Sequence, residues 1–111
     1  MSTNEFIKGK KFTFSNEIEY ASAAVVSKHI LKKKSGNVSL FAFGKGEGLS
    51  EHTTPFDALV YVVDGKADII IDGTSNELNA GESIVMPANI PHALNALENF
   101  KMVLVMIKDK D

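Results

Sequence analysis

Short runs of β-branched and aromatic residues recur between residues 20 and 108, and turn-forming residues separate them at short intervals. No segment in this range has the 3.6-residue apolar period of a long amphipathic helix. The pattern therefore predicts an all-β chain with seven strands. We expect the strands to span Val25–Lys33, Val38–Phe43, Ala58–Val63, Ala67–Asp72, Ser83–Met86, Ala93–Ala96 and Met102–Ile107.

Glycines mark three predicted turns between these strands. Each glycine stands beside residues that favour turns, and each can adopt the positive φ of a tight hairpin. The turn segments are Ser35-Gly36-Asn37, Asp64-Gly65 and Asp72-Gly73. Tight hairpins join antiparallel strands, so we expect antiparallel sheets.

One predicted strand, Ala58–Val63, is apolar on both faces, because its even-numbered and its odd-numbered residues are all apolar or aromatic. Both faces are therefore expected to be covered, either by a second packed sheet or by the partner subunit of a homodimer. Residues 1–24 carry further apolar side chains among polar neighbours. They could form an added edge strand or a swapped arm, and the sequence leaves both open.

Composition limits the classes of protein and partner. With 111 residues, the chain is long enough for one small domain, so we expect a single domain over residues 1–111. A formal net charge of −2 gives no electrostatic reason to expect nucleic acid or an anionic membrane as a partner. The chain has no cysteine, which excludes thiolate metal ligands and disulfides. No apolar run approaches the ~20 residues that a membrane helix requires, so the default expectation is a cytoplasmic protein.

Two segments punctuated by glycine or proline carry the candidate chemistry, because each contains a histidine. The first segment is spaced as Gly46, His52, Thr54, Ala58 and Gly65. The second is spaced as Gly81, Pro87, Asn89 and His92. These spacings resemble the two motifs of the cupin superfamily, and the resemblance covers about residues 37–107. It implies that this core forms a double-stranded β-helix, a small jelly-roll barrel, with residues 1–24 as an arm or edge strands.

The resemblance also implies a metal site, in which the first motif supplies two histidines and a glutamate and the second motif supplies a third histidine. His52 and His92 occupy two of these four positions, while Thr54 and Ala58 occupy the other two. A neutral hydroxyl is a feeble ligand and a methyl group is none, so the site is degenerate. We expect His52 and His92 to hold either no metal or a weakly bound divalent transition metal.

Alanine in place of glutamate removes a buried charge and enlarges the cavity, which predicts an apolar pocket with two imidazoles at its polar end. We therefore expect a homodimeric cupin-barrel protein that binds a small organic ligand. One alternating set of residues 102–107 should line the same space, and Phe56 should lie at the mouth. The expected pocket residues are His52, Thr54, Phe56, Ala58, Val60, His92 and Leu94.

Two other functions stay open at the level of sequence. One is a metal-dependent cupin enzyme, of the dioxygenase or isomerase type, that uses the reduced ligand set. The other is a purely structural or regulatory module, in which His52 and His92 are hydrogen-bonded remnants. No catalytic residue is assigned, because the serines lack the strained turn and flanking glycines that activate a serine nucleophile.

Overall fold

The computed structural model describes residues 5–109, and over these residues the chain forms nine strands and one turn of 3-10 helix, Phe14–Asn16. Residues 1–4 of the predicted arm and residues 110–111 lie outside the described part of the chain. No helix of the described part is long and apolar enough to cross a membrane. Strands β1 to β9 span, in order, Val25–Lys33, Gly36–Phe43, Gly48–His52, Asp57–Asp64, Lys66–Ile71, Thr74–Asn79, Ser83–Met86, His92–Ala96 and Phe100–Ile107.

The strands form two antiparallel sheets that face each other across one core. The larger sheet has the order β1-β2-β9-β4-β7, and the smaller sheet has the order β3-β8-β5-β6. Side chains alternate between buried and exposed along most of β4, so its even-numbered residues point into the barrel. The rings of Phe43 and Phe100 stack with their centres 4.4 Å apart inside the core. The all-β prediction and the double-stranded β-helix are both confirmed.

Seven of the strands match the predicted ones to within two residues at each end, but the hydrophobic pattern does not predict β3 or β6. Leu78 is the buried residue of β6, and the last three residues of β3 are exposed. Strands that bury so little owe their conformation to hydrogen bonds with a neighbouring strand, and such strands lack the runs of β-branched and aromatic residues that predicted the others.

The glycines of the predicted turns have two different roles. Asp72 and Gly73 adopt φ values of 49° and 81°, and Gly65 adopts 84°, as the hairpin prediction requires. The prediction is wrong for Gly36, which lies in β2 and is not among the residues with positive φ. A Cβ at Gly36 would overlap the carbonyl oxygen of Met106, so close approach of two backbones explains this glycine.

Residues 5–24 pack on the outer face of the larger sheet and contain no strand. Ile18 is buried there against the apolar residues that β2 and β9 present to the outside. The Tyr20 hydroxyl donates a hydrogen bond to Asp64, and the buried Lys101 ammonium donates one to the carbonyl of Ser15 at 2.8 Å. The segment therefore covers part of the second apolar face of β4 and β9.

An apolar row crosses the outer face from β2 to β7 and is exposed at its β4 and β7 end. Val38, Val105, Leu59 and Val85 are successive cross-strand partners on β2, β9, β4 and β7, and we call them the outer row. Leu59 and Val85 are 38% and 55% exposed. The inner face of β4 is thus covered as predicted, while its outer face is covered only in part.

Candidate functional site

The two candidate histidines meet at one end of the barrel. His52 is the last residue of β3, His92 is the first residue of β8, and the two are direct partners in the register of these strands. Their ring centres are 4.4 Å apart, with an angle of 69° between the ring planes. His52 is exposed, whereas His92 is 4% exposed. The pair therefore extends from the surface into the barrel.

Hydrogen bonds join the two loops that position this pair. The amide of Asn89 donates to the carbonyl of Thr54 at 2.7 Å, and the amide of Ala88 donates to the carboxylate of Asp57 at 2.9 Å. Asn89 adopts a left-handed φ of 65°, which asparagine tolerates better than most residues. Asp57 is thus engaged outside the barrel while its neighbour Ala58 faces inward, as strand alternation predicts.

The hydrogen bonds of the two imidazoles fix their tautomers. Nδ1 of His52 lies 2.7 Å from the carbonyl oxygen of Ser50, and Nδ1 of His92 lies 3.2 Å from that of Ile90. A carbonyl oxygen only accepts, so each Nδ1 carries the proton and each neutral ring keeps a lone pair on Nε2. No other group in residues 5–109 bonds to either Nε2. Both are available to a ligand.

The imidazoles border a narrow cavity of about 40 Å³ inside the barrel. Apart from the two imidazoles and the Thr54 hydroxyl, apolar side chains and thioethers line it. The lining residues are Leu49, His52, Thr54, Ala58, Met86, His92, Leu94, Met102, Leu104 and Met106. Five of the seven expected pocket residues are therefore brought together.

Phe56 and Val60 do not line this cavity. Phe56 lies just before β4, which begins at Asp57. Because Phe56 is outside the strand, the alternation that turns Ala58 inward does not extend to it. Its ring instead has the ammonium of Lys108 5.2 Å from its centre. Val60 does point inward, but it is fully buried in the packed core and is not among the residues that line this cavity.

Three of the remaining lining residues belong to β9, for which the sequence predicted an inward-facing set but not which of the two sets it would be. Met102, Leu104 and Met106 are the inward set of β9, one of the two alternating sets expected to line the space. Leu49 was not expected, because β3 itself was not predicted. Met86 comes directly before Pro87 of the second motif, which could have indicated that it lies near the site. The sequence alone predicted only an adaptable core residue at this position.

One row of the larger sheet places sulfur beside the position where the family resemblance puts a carboxylate. Ala58 is the register partner of Met86 on β7 and of Met106 on β9. All three side chains reach the cavity. The small Ala58 side chain therefore stands between two flexible thioethers.

Burial keeps His92 neutral. It disfavours the charged imidazolium and lowers the pKa of His92 below the ordinary value of 6.5, and the nearby His52 acts in the same direction. The hydrogen bond to the Ile90 carbonyl opposes this shift without reversing it. Near neutral pH, His92 therefore presents a lone pair to the cavity and no charge.

Comparison with known proteins decides the family. The sequence profile that describes the cupin domain matches residues 39–108. The chain belongs to the cupin family. A curated relative by sequence, polyketide synthase CurC from Streptomyces cyaneus, is 34% identical over 59 residues. These residues make up 52% of this chain and 38% of that protein, so the match spans well under half of the relative.

Solved structures similar to this cupin match between 87% and 100% of the chain. A conserved protein of unknown function from Streptococcus pyogenes is 33% identical, with a TM-score of 0.92, and the match covers 100% of this chain and 98% of that one. A cupin superfamily protein from Desulfitobacterium hafniense is 25% identical, with a TM-score of 0.88 and coverage of 98% and 100%. A cupin barrel protein from Leptotrichia buccalis is 42% identical, with a TM-score of 0.85, but the match covers 87% of this chain and only 47% of that one.

The residues of this cupin do not fit the four-ligand metal centre that the resemblance implies. The hydroxyl of Thr54 is engaged with the backbone of Phe56, donating to its carbonyl at 3.2 Å and accepting from its amide at 3.1 Å. Ala58 offers no ligand atom. Between residues 5 and 109, no three His, Cys, Asp or Glu side chains form a group that could hold a metal ion. Glu51, next to His52, is exposed and does not line the cavity.

Proposed function

We propose that this cupin binds a small organic molecule at the barrel mouth, with one end of the molecule in the cavity and a polar group on the two imidazoles. The observation that carries the proposal is the pair of unengaged Nε2 atoms beside an otherwise mostly apolar cavity. Ligand sites commonly combine apolar walls with a few convergent polar groups. The absence of a carboxylate from the cavity lining also suits a neutral ligand.

The size of the cavity limits what enters it. Sites for drug-sized ligands span roughly 300–1,000 Å³, whereas this cavity measures about 40 Å³. Three of its walls are methionines, whose unbranched side chains change shape at little cost. We therefore propose that a single ring or a short chain enters and that the rest of the ligand lies outside, near the exposed His52.

The chemistry of the polar group follows from the tautomers. A neutral imidazole with its proton on Nδ1 accepts a hydrogen bond at Nε2, so the ligand should donate one through a hydroxyl, phenol or enol. Hydroxylated, polyketide-type compounds are the first class of ligand to test, because one relative is named polyketide synthase CurC.

The test uses phenol as a probe and anisole as its matched control, because anisole has the same ring without the hydroxyl. We expect phenol to shift the ¹³C-methyl NMR signals of Met86, Met102 and Met106, and anisole to bind more weakly. His52→Asn and His92→Asn should weaken phenol binding, since asparagine can keep the donor to the backbone carbonyl but lacks Nε2. His29→Asn, on β1, is the matched control and should leave binding unchanged. Equal binding of phenol and anisole, or unshifted methionine signals, would overturn the proposal.

A metal-dependent enzyme of the dioxygenase or isomerase type is the second candidate. It is favoured by the bonds from Nδ1 to backbone carbonyls, which are the arrangement that commonly orients metal-binding histidines. It predicts a stoichiometric divalent transition metal in protein purified without chelator, lost in His52→Asn or His92→Asn. Such a metal, together with metal-dependent turnover, would replace the first proposal by this one.

We also propose that the protein is a homodimer and that the outer row forms its contact. The row is contiguous across four strands, and apolar patches of this kind mark interaction sites more often than isolated apolar residues do. A second copy suits the row because two sheets pack face to face with their apolar faces together. A cytoplasmic location stays a prediction.

A further inference from the structure

We propose that the cavity is a site for monovalent copper, held by the imidazole nitrogens of His52 and His92 and by the thioether sulfurs of Met86 and Met106. The inference goes beyond the proposed function, because it rests on the sulfur atoms, which organic ligand binding does not require. The two occupants share the histidines, so copper should compete with phenol.

The two imidazoles lie close enough to share one ion through their open nitrogens. Both rings carry their proton on Nδ1 and leave Nε2 open. Bonds from imidazole nitrogen to a metal are about 2.0–2.1 Å long, so two rings whose centres lie 4.4 Å apart can reach one ion. The direct pairing of His52 with His92 across β3 and β8 sets this separation through the backbone.

The sulfur donors flank the residue that replaces a carboxylate. Met86 and Met106 stand on either side of Ala58 in one cross-strand row, and both line the cavity that the histidines border. The methyl group of Ala58 leaves room that a glutamate would fill. Because methionine is unbranched, its sulfur can approach a site from several rotamers. Met102 lines the same cavity and is a third source of sulfur.

The charge of the donor set selects the class of ion. Neutral imidazoles and thioethers contribute no negative charge, and no carboxylate lines the cavity. The cost of moving an ion out of water rises with the square of its charge, so a dication in this apolar space is disfavoured far more than a monocation. Thioether sulfur is a soft ligand that selects Cu(I). The site is therefore matched to Cu(I) and poorly matched to Zn(II), Mn(II) or Fe(II).

The experiment is an anaerobic titration of the full chain with Cu(I) in competition with a chromophoric Cu(I) chelator, with Zn(II) titrated in parallel. We expect one equivalent of Cu(I) per chain and much weaker binding of Zn(II). The double variant Met86→Leu/Met106→Leu should lose about tenfold or more in Cu(I) affinity, because loss even of groups that only support metal ligands commonly costs about that much. The leucines conserve volume, so the barrel should stay folded, which far-UV circular dichroism checks. His29→Asn is the control with an unchanged Cu(I) affinity.

Two further measurements keep this inference separate from the proposed function. Phenol binding should survive in Met86→Leu/Met106→Leu, because the cavity wall stays apolar, and failure of phenol to bind the unmodified protein would leave the copper result intact. In selenomethionine-labelled protein loaded with Cu(I), X-ray absorption at the selenium edge should show a copper neighbour. Absence of that neighbour, a Cu(I) affinity unaffected by the two leucines, or equal affinity for Zn(II) would each overturn the copper site.

Discussion

Two residues of the same type, paired side by side, have different surroundings at this site. His52 ends an edge strand and is exposed, while His92 starts an inner strand and is buried. Burial lowers the pKa of His92. The neutral form of His92 therefore belongs to the folded state, and protonation of this ring opposes folding.

This asymmetry predicts a dependence of stability on pH. Because the folded pKa of His92 lies below its unfolded value of about 6.5, the unfolded chain takes up the proton first as the pH falls. The stabilisation that comes from the neutral ring is complete above the unfolded pKa and is lost as the pH falls from there through the folded pKa. Urea unfolding at pH 7.5 and 5.5 should show a smaller loss of stability in His92→Asn than in the unmodified protein. His29→Asn should behave like the unmodified protein, and an equal loss in all three would contradict the assignment.

At the scale of the elements, strands with a buried apolar face were predictable and strands without one were not. The seven predicted strands contain most of the core, and their alternation also predicted which way Ala58 and Asp57 face. The strands β3 and β6 have too few buried residues to produce the pattern. The pairing of the two histidines followed from the family resemblance. The position of two methionines beside Ala58 could not be predicted. The register between strands that are distant in sequence depends on the sheet they join, and neither strand's sequence determines it alone.

The close contact of β2 with β9 gives a prediction at this scale. Gly36→Ala should destabilise the fold by about 1–3 kcal/mol, because its Cβ would overlap the backbone of Met106 and neither strand can move without disturbing the sheet. Gly73→Asn is the control, since Gly73 has open space around its Cα and asparagine tolerates its left-handed φ of 81°. Chemical denaturation measures both variants. A Gly36→Ala protein as stable as the control would show that the two strands separate easily.

Across the barrel, the two sides of the larger sheet differ in how completely other segments cover them. The inner side is sealed by the smaller sheet, while the outer side is covered by residues 5–24 at one end and open along the outer row at the other. Tyr61, beside Leu59 on β4, adds an aromatic ring that is 38% exposed. Leu59, Tyr61 and Val85 therefore leave an apolar surface on the barrel that residues 5–24 do not bury.

The homodimer proposal is tested on this face. We expect light scattering at micromolar concentration to give the mass of a dimer for the unmodified chain and of a monomer for Leu59→Lys/Val85→Lys, because apposed charges would be buried in the contact. Ile7→Lys is the matched control, since Ile7 is 73% exposed and lines a groove between residues 5–17 and β1, away from the outer row. The control should remain dimeric. A monomer mass for the unmodified chain would refute the proposal, and a dimer that tolerates both lysines would place the contact elsewhere.

The position of β3 at the edge of its sheet has a consequence for access to the barrel. Among the strands of residues 5–109, β8 alone pairs with β3, and the register between them shifts between Leu49 and His52. Local detachment of β3 would carry one imidazole away from the other and unseal the interior, while the remaining eight strands kept their ladders. If a ligand binds as proposed, its rates of association and dissociation would then depend on local opening of the five-residue strand β3. Those rates would not depend on global unfolding.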